Sequence, residues 1–137
     1  MTLAEGQDAE DLMVYLSAYA PNIANVLNYP IKVWAKIINN EDKDFFQNKS
    51  WIELEQIDDD LVYSSSINKQ NYKELSFQFP RSMMFDDEIN PGIQYDVNGN
   101  TYTGFKQFAI KIGLLGNKDD TAIVPKVADL RVIALQM

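Results

Sequence analysis

Carboxylates supply most of the groups in this sequence that could do chemistry. Its 137 residues include 20 Asp and Glu but no His and no Cys. His is the commonest general base and metal ligand, and Cys supplies thiolates and disulfides. Ser-His-Asp and Cys-His catalysis, thiolate zinc sites and disulfide bonds are therefore excluded. The side-chain groups that remain available for chemistry are carboxylates, lysines, tyrosines and hydroxyls.

One acidic segment invites comparison with a calcium-binding loop. The first, third, ninth and twelfth positions of such a loop would be Asp42, Asp44, Ser50 and Glu53. Phe46 and Gln47, however, stand where the loop needs an oxygen ligand and then a glycine. The segment therefore predicts a solvated loop, and we expect neither a metal site nor a cofactor.

The sequence assigns no catalytic residue. Among 20 carboxylates some pair lies near the spacing of a glycosidase by chance, so proximity along the chain does not identify a general acid or base. A glycine-rich phosphate loop and a nucleophile elbow are both missing from the sequence. We therefore predict that the protein is not an enzyme, with a carboxylate-dependent glycan hydrolase as the remaining enzymatic alternative.

Aromatic and basic side chains make the best candidates for binding. Tyr15, Tyr19 and Trp34 are predicted to project from strand faces opposite the aliphatic rows, and Lys36 follows Trp34 on the same face. Such a surface suits a protein interface or a sugar-binding sheet. These four residues are the candidate contact or glycan-binding set. Alternatively, a loop or a neighbouring subunit covers this face.

Two further basic residues, Lys111 and Arg131, lie in the middle of predicted strands. In one interpretation they line a solvated face and pair across strands with acids such as Glu53, Glu55 or Glu74. In the other they grip an acidic ligand. We favour the first interpretation, because charged groups on a surface usually contribute little beyond such pairing.

Alternation of apolar and polar residues with a period of two dominates the chain and predicts strands. The first two aliphatic rows are Leu12, Val14, Leu16 and Ala18, then Ile31, Val33, Ala35 and Ile37. Further strands are predicted at 51–57, 74–79, 105–115 and 124–135, and Asn98-Gly99 is a strong hairpin signal between two Tyr-containing arms. We predict one all-β domain over residues 1–137, an antiparallel, jelly-roll-like β-sandwich of about seven to eight strands.

Charge and hydropathy limit the classes of partner that we expect for this chain. The formal net charge is -8, and Lys and Arg form no stripe that could attract a phosphate backbone. We therefore do not expect nucleic acid as a partner. The N-terminus has no signal-peptide pattern and no apolar run reaches the length of a membrane helix. We expect no membrane partner and a soluble protein where it is made.

Several ordered motifs resemble a known family. They are D-L-x-V-Y-L-x-A-Y-x-P at 11–21, F-x-x-F-x-I-K-I at 105–112 and V-P-x-V-x-D-L-R-x-I-A-L at 124–135. Together the series resembles a domain that recurs at the C-terminal end of virion structural proteins in contractile-tailed bacteriophages, and it covers nearly the whole chain. The resemblance implies a tail or baseplate module, made in the host cytoplasm and assembled into the virion. The family supplies no catalytic residues.

The leading hypothesis is therefore a non-enzymatic structural module that contacts other virion proteins. The alternative is a carbohydrate-binding or host-adhesion domain, because a β-sandwich with projecting aromatics is a common sugar-reading scaffold. Other virion proteins, further copies of this chain and a host surface glycan all remain open as partners.

The final strand is expected to close the fold. Leu130, Val132 and Ala134 are predicted to seal the core, with Arg131 on the solvated face. Deleting residues 128–137 should then leave an insoluble chain.

Overall fold

Strands make up most of the described chain in the computed structural model. It describes residues 2, 8–21, 29–57, 63–64, 68, 70–85, 92–115 and 125–135. Seven strands have four residues or more: β1 Asp11–Tyr19, β2 Ile31–Ile38, β5 Lys73–Gln78, β7 Gly92–Val97, β8 Asn100–Thr103, β9 Gln107–Leu114 and β10 Lys126–Leu135. Three have two residues: β3 Ile52–Glu53, β4 Glu55–Gln56 and β6 Met84–Phe85. Short 3₁₀ helices span Phe46–Asn48 and Arg81–Met83. The predicted all-β class is confirmed.

The strands form three antiparallel sheets. A four-stranded sheet has the order β10-β1-β5-β4, a three-stranded sheet has the order β3-β2-β9, and a small sheet has the order β6-β7-β8. The first strand therefore lies between the last strand and β5. The arrangement is sandwich-like, as the alternating sequence predicts.

One hydrophobic core lies between the sheets. The aliphatic rows of β1 and β2 are buried in it as predicted, and β5 adds Leu75 and Phe77. Ile93 of the small sheet and Phe105, which precedes β9, are fully buried in the same cluster. Because strand side chains alternate, burying these rows leaves the intervening residues of β1 and β2 on the outer faces.

The sandwich is closed on one side by the chain itself. The segment 51–57, expected as one short strand, divides into β3 and β4, which lie at the edges of different sheets. Leu54 between them is buried, and its N–H donates to the carbonyl of Val33 at 2.8 Å. The opposite edges are consequently β9 and β10. A single period-two pattern hid this crossing because both halves keep the same alternation.

The predicted tight turn at Asn98-Gly99 is confirmed. Val97 pairs with Asn100, and Asn98 and Gly99 have φ of 49° and 83°. Positive φ at both central residues is the geometry of the primed hairpin turn that Asn-Gly favours.

The core role predicted for Leu130 is wrong. Leu130 is 43% exposed, whereas Val132 and Ala134 are half-buried against the core. Its register partner on β1 is Leu16, which is fully buried, so Leu130 does point to the core side of the sheet. A four-stranded sheet facing a three-stranded one leaves its outermost strand only partly covered, and that strand is β10.

Gly92 provides a test of this packing. Its φ is +118°, and a Cβ added there would lie 2.5 Å from Glu10 Cβ and 2.8 Å from Glu10 O. Gly99 also has positive φ, but a Cβ there would meet nothing within 4 Å. We expect Gly99→Ala to lower the free energy of unfolding by about 1–2 kcal/mol from backbone conformation alone. Gly92→Ala should cost about 1–3 kcal/mol beyond that from overpacking. Urea unfolding of both variants measures the difference, and equal losses would contradict the close approach to Glu10.

Deletion of residues 128–137 tests the closing strand. β10 pairs with β1 along the whole of β1, from Asp11↔Leu135 to Tyr19↔Lys126. Without it, the backbone groups of β1 that point toward β10 lose their partners, and the core-facing row of β1 is uncovered along that edge. We expect the truncated chain to be insoluble, measured as the soluble fraction after expression. A matched truncation of residues 136–137 alone retains β10 and should stay soluble; a soluble, folded longer deletion would show that β10 is dispensable.

Candidate functional site

Three aromatic rings and two lysines form a continuous surface on the outer side of the three-stranded sheet. We call it the aromatic–lysine face, and it consists of Trp34, Lys36, Phe46, Trp51 and Lys111. Lys111 Nζ lies 4.7 Å from the Trp34 ring centroid and 4.9 Å from that of Trp51. Lys36 Nζ lies 4.9 Å from the Trp51 ring and 5.0 Å from the Phe46 ring. Rings and ammonium groups therefore alternate across the face at cation–π distances.

Strand register assembles the centre of this face. The buried row of β2 leaves Lys32, Trp34 and Lys36 pointing outward. β9 pairs with β2 so that Trp34 lies opposite Lys111, while β3 places Glu53 on the other side of Trp34. Glu53 also forms an ion pair with Lys32, whose Nζ lies 3.5 Å from its carboxylate. Glu53 is therefore paired with Lys32, whereas the neighbours of Lys36 and Lys111 on this face are aromatic rings.

Gly113 leaves room for the Trp34 ring to pack closely against β9. A Cβ at Gly113 would approach Trp34 Cζ3 to 2.7 Å and Cη2 to 2.9 Å. Any larger residue would lift the indole from the sheet. The ring is therefore held between the backbone at Gly113 and the ammonium of Lys111, which lies over the ring.

The face is accessible. Trp51 is 39% exposed and Lys111 is exposed, while Trp34, Lys36 and Phe46 are half-buried. The neighbouring Phe45 is 71% exposed. With two lysine charges, this surface is locally positive in a chain whose net charge is -8. It can contact an acidic or carbonyl-rich partner through charge and ring stacking together.

The four residues predicted for contact are divided between different surroundings. Trp34 and Lys36 meet on the aromatic–lysine face. Tyr15 lies on the outer face of the four-stranded sheet, where its ring centroid is 5.9 Å from the guanidinium carbon of Arg131. The prediction of a projecting Tyr19 is wrong.

Tyr19 is only 2% exposed. It stacks edge-on against Tyr72, with centroids 6.4 Å apart. The chain at Ser64 also covers the end of β1, since Ser64 N–H donates to the carbonyl of Ala20 and Ala20 N–H donates to Ser64 Oγ. Alternation gave the correct side of the strand, but a segment distant in sequence covers that side.

Sequence reasoning missed the binding potential of Trp51 and Phe46, and it did not place Lys111 next to Trp34. The outward direction of Trp51 and Lys111 was available from alternation, but their approach to Trp34 depends on which strands pair. The proposed cross-strand ion pair of Lys111 is replaced by ring contacts, whereas Arg131 does lie near Glu74, at 3.9 Å. Phe46 belongs to a 3₁₀ helix that the sequence pattern does not predict.

A buried polar network fixes the segment that carries Phe46 and Trp51. Asp42 Oδ2 accepts from Lys49 Nζ at 2.6 Å and from the Tyr95 hydroxyl at 2.8 Å. Its Oδ1 accepts from the N–H of Asp44 at 3.0 Å, and the Tyr95 hydroxyl in turn accepts from the N–H of Asn39 at 2.8 Å. The network ties the segment between β2 and β3 to β7.

Electrostatics in the network favour charged Asp42 and Lys49. Burial opposes ionisation of Asp42, but hydrogen bonds from Lys49, the Asp44 amide and Tyr95 hold its pKa below the ordinary value. Burial likewise opposes the charge of Lys49, yet its bonds to Asp42 and Asp44 raise its pKa. Burial raises the pKa of Tyr95, as do its bond to Asp42 and that carboxylate's charge. The ion pair between Asp42 and Lys49 therefore serves to hold the segment in place.

The calcium-like spacing around Asp42 is thus used for a different purpose. Lys49 and Tyr95 both bind Asp42 Oδ2, and Oδ1 accepts from the Asp44 N–H, so both carboxylate oxygens already have protein partners. Within the ranges described above, no group of three or more His, Cys, Asp or Glu side chains could hold a metal ion. No helix in the same ranges is long and apolar enough to cross a membrane.

Comparison of the chain with protein-family models, with curated proteins and with solved structures found no match. The resemblance to virion structural proteins consequently rests on the motifs of this sequence.

Replacement of Asp42 tests the network. Asp42→Asn removes the charge that holds Lys49 and should lower the free energy of unfolding near neutral pH by about 1.5–3 kcal/mol, as for a hydrogen bond to a charged group. Glu41→Gln, an exposed neighbour, is the matched control and should change it by less than about 0.5 kcal/mol.

The same variants predict a pH dependence. The folded-state pKa of Asp42 is lower than its unfolded value of about 3.9. Its ionised form therefore stabilises the fold above that value, and this contribution is lost as pH falls through the folded-state pKa. We expect the stability advantage of the unaltered chain over Asp42→Asn to shrink as pH is lowered from about 5 to about 2. Urea unfolding across this range measures it, and a constant difference would argue against an ionised Asp42.

Proposed function

We propose that this chain is a non-enzymatic structural module of the tail or baseplate of a contractile-tailed bacteriophage, and that it acts by protein–protein contact in the virion. The observation that carries the contact role is the aromatic–lysine face. The virion setting is carried by the ordered motifs at 11–21, 105–112 and 124–135.

The composition of the face supports binding to protein. Aromatic side chains are enriched at the centres of interfaces, where they bury large areas with few rotatable bonds. Trp34 and Trp51 offer such area, and their rings are already held by Lys111 between them. Side chains fixed before binding lose little conformational entropy when a partner arrives, which favours affinity.

Charge indicates the kind of protein partner. Lys36 and Lys111 are a local positive surface on an acidic chain. A neighbour that presents carboxylates or strand-end carbonyls opposite these two ammonium groups would be attracted to this face and repelled elsewhere. Contact through this face orients the module as well as holding it.

A second candidate function is glycan binding in host adhesion. The observation that favours it is the pair of indole rings on one sheet face, with the Trp34 ring packed closely against Gly113. Flat exposed rings can stack on sugars, and two lysines beside them would favour a sugar that carries a carboxylate. Under this second hypothesis, the aromatic–lysine face contacts a host surface glycan.

Cross-linking within purified particles that contain the chain tests the primary proposal. An amine-reactive cross-linker is expected to join Lys36 and Lys111 to a defined neighbouring virion protein, identified by mass spectrometry. Lys43 is exposed in the segment after β2 and provides a comparison lysine away from the face. Absence of the chain from particles, or no cross-link from either face lysine, would contradict the proposal.

Substitution of the indoles measures their contribution. Trp51→Ala is expected to weaken binding to that neighbour by about tenfold to a hundredfold, because truncated aromatic anchors at interfaces cost about 1–3 kcal/mol. Tyr15→Ala removes an aromatic from the other sheet and is the matched control, expected to leave affinity within about twofold.

A glycan array separates the two functions. Binding to carboxylated glycans that disappears in both Trp34→Ala and Trp51→Ala, with no neighbour in the virion, would favour adhesion. No glycan signal together with a Trp51-dependent protein contact supports assembly. Circular dichroism of each variant confirms that the fold is retained.

A further inference from the structure

β10 presents a long strand edge to its surroundings. It spans ten residues and pairs with β1 on one side only, and in the described part of the chain no strand lies along its other side. An unpaired strand edge offers a row of N–H and C=O groups to any second strand. Three large apolar side chains on this strand are also exposed: Leu130 by 43%, Ile133 by 45% and Leu135 by 37%.

The charges on β10 do not protect the edge against a second copy. Natural edges are commonly blocked by charges that repel or must be desolvated when a strand approaches. Here Asp129 and Arg131 have opposite signs and flank Leu130. Both lie on the outer face, since their register partners on β1 are Ser17 and Tyr15. A sequence Asp-Leu-Arg read in opposite directions on two chains matches each charge with its opposite.

We propose that β10 pairs antiparallel with β10 of a second copy of this chain, about a two-fold axis that passes between the two Leu130 residues. Asp129 of each chain then lies opposite Arg131 of the other. The two four-stranded sheets become one sheet of eight strands, and the exposed Leu130 side chains cover each other. The edge of β10 is separate from the aromatic–lysine face, and its pairing does not depend on the virion setting.

Charge selects this register over its neighbours. A shift of the axis to Arg131 would place two arginines directly opposite each other, and a shift to Asp129 would oppose two aspartates. An axis at Val132 would place Arg131 against Ile133, leaving both charges without an opposite partner. Only the axis at Leu130 produces two unlike charge pairs.

Local geometry limits the paired segment. The β-bulge opposite Ser17 and Ala18 leaves Ala128 without a register partner on β1. Bulges increase strand twist, so we confine the predicted pairing to residues 128–132 of each chain. Arg131 has freedom to join it, because its side chain is 67% exposed and its contact with Glu74 is 3.9 Å long. The resulting dimer is small in contact area and is therefore expected to be weak.

Disulfide trapping suits a weak dimer, and the chain contains no cysteine to interfere. In the proposed register the two Leu130 Cβ atoms lie about 4.5–5.5 Å apart, close to the separation that a disulfide requires. Leu130→Cys is therefore expected to form a covalent dimer under mild oxidation, observed on a non-reducing gel. The reaction is followed at about 0.15 M salt, where screening reduces the repulsion between two acidic chains.

Two matched cysteine variants measure how fast disulfides form by random collision alone. Ile133→Cys lies on the same strand with similar exposure, but its two copies would be separated by six residues, about 20 Å along the strands. Leu114→Cys is 47% exposed on β9. Leu130→Cys should oxidise at least about tenfold faster than either, because pairing raises the effective thiol concentration. Equal rates, or faster reaction of Ile133→Cys, would overturn the proposed pairing.

Charge exchange tests the register in the Leu130→Cys background. Asp129→Arg and Arg131→Asp each create two like-charge pairs and should slow disulfide formation by about tenfold or more. The double exchange restores unlike pairs and should recover the rate to within about threefold. Lys43→Glu, a charge reversal far from β10, is the control and should have little effect. Slow reaction of both single exchanges without recovery in the double exchange would show that the charges do not face each other.

Discussion

Burial of the aliphatic rows of β1 and β2 in one core is the constraint on which the rest of this structure depends. Each row alternates with residues that must then lie on the outer face of its sheet. On β2 the consequence is an outward row of Lys32, Trp34 and Lys36, and on β1 it is the row that contains Tyr15. The surfaces available for contact are thus set by what the core removes from solvent.

The aromatic–lysine face needs a second element of structure to be complete. Trp34 and Lys111 are brought together by strand register, but Phe46 and Trp51 arrive from the segment between β2 and β3. That segment is held by Asp42, whose carboxylate binds Lys49 and Tyr95 in a largely buried setting. A buried ion pair contributes little net stability, and its value here lies in positioning. The polar network therefore supports the face although no member of the network belongs to it.

The unequal widths of the two main sheets separate two kinds of surface. The three-stranded sheet carries the aromatic–lysine face. The broad rings of this face suit a different partner from the one that the edge of β10 would bind. The four-stranded sheet extends one strand further, so β10 keeps an exposed edge and an uncovered Leu130. Because these surfaces belong to different sheets, one copy could contact a neighbour through the first and a second copy through the other. Such an arrangement is typical of repeated assemblies, in which symmetric and unsymmetric contacts occur on the same subunit.

The sequence by itself determined the all-β class, the long strands, the Asn98-Gly99 turn and the outward direction of Trp34 and Lys36. All of these follow from local rules, namely period-two alternation and the positive φ that a tight hairpin needs. Only the tertiary structure decided which side chains meet. Tyr19 lies on the outward side by alternation but is covered near Ser64, and Leu130 lies on the core side but is left exposed by the narrower opposing sheet. Trp51 and Phe46 join Trp34 because of strand order and a network anchored at Asp42. A local pattern specifies the face of a strand, whereas the neighbours on that face depend on register and on contacts between residues far apart in sequence.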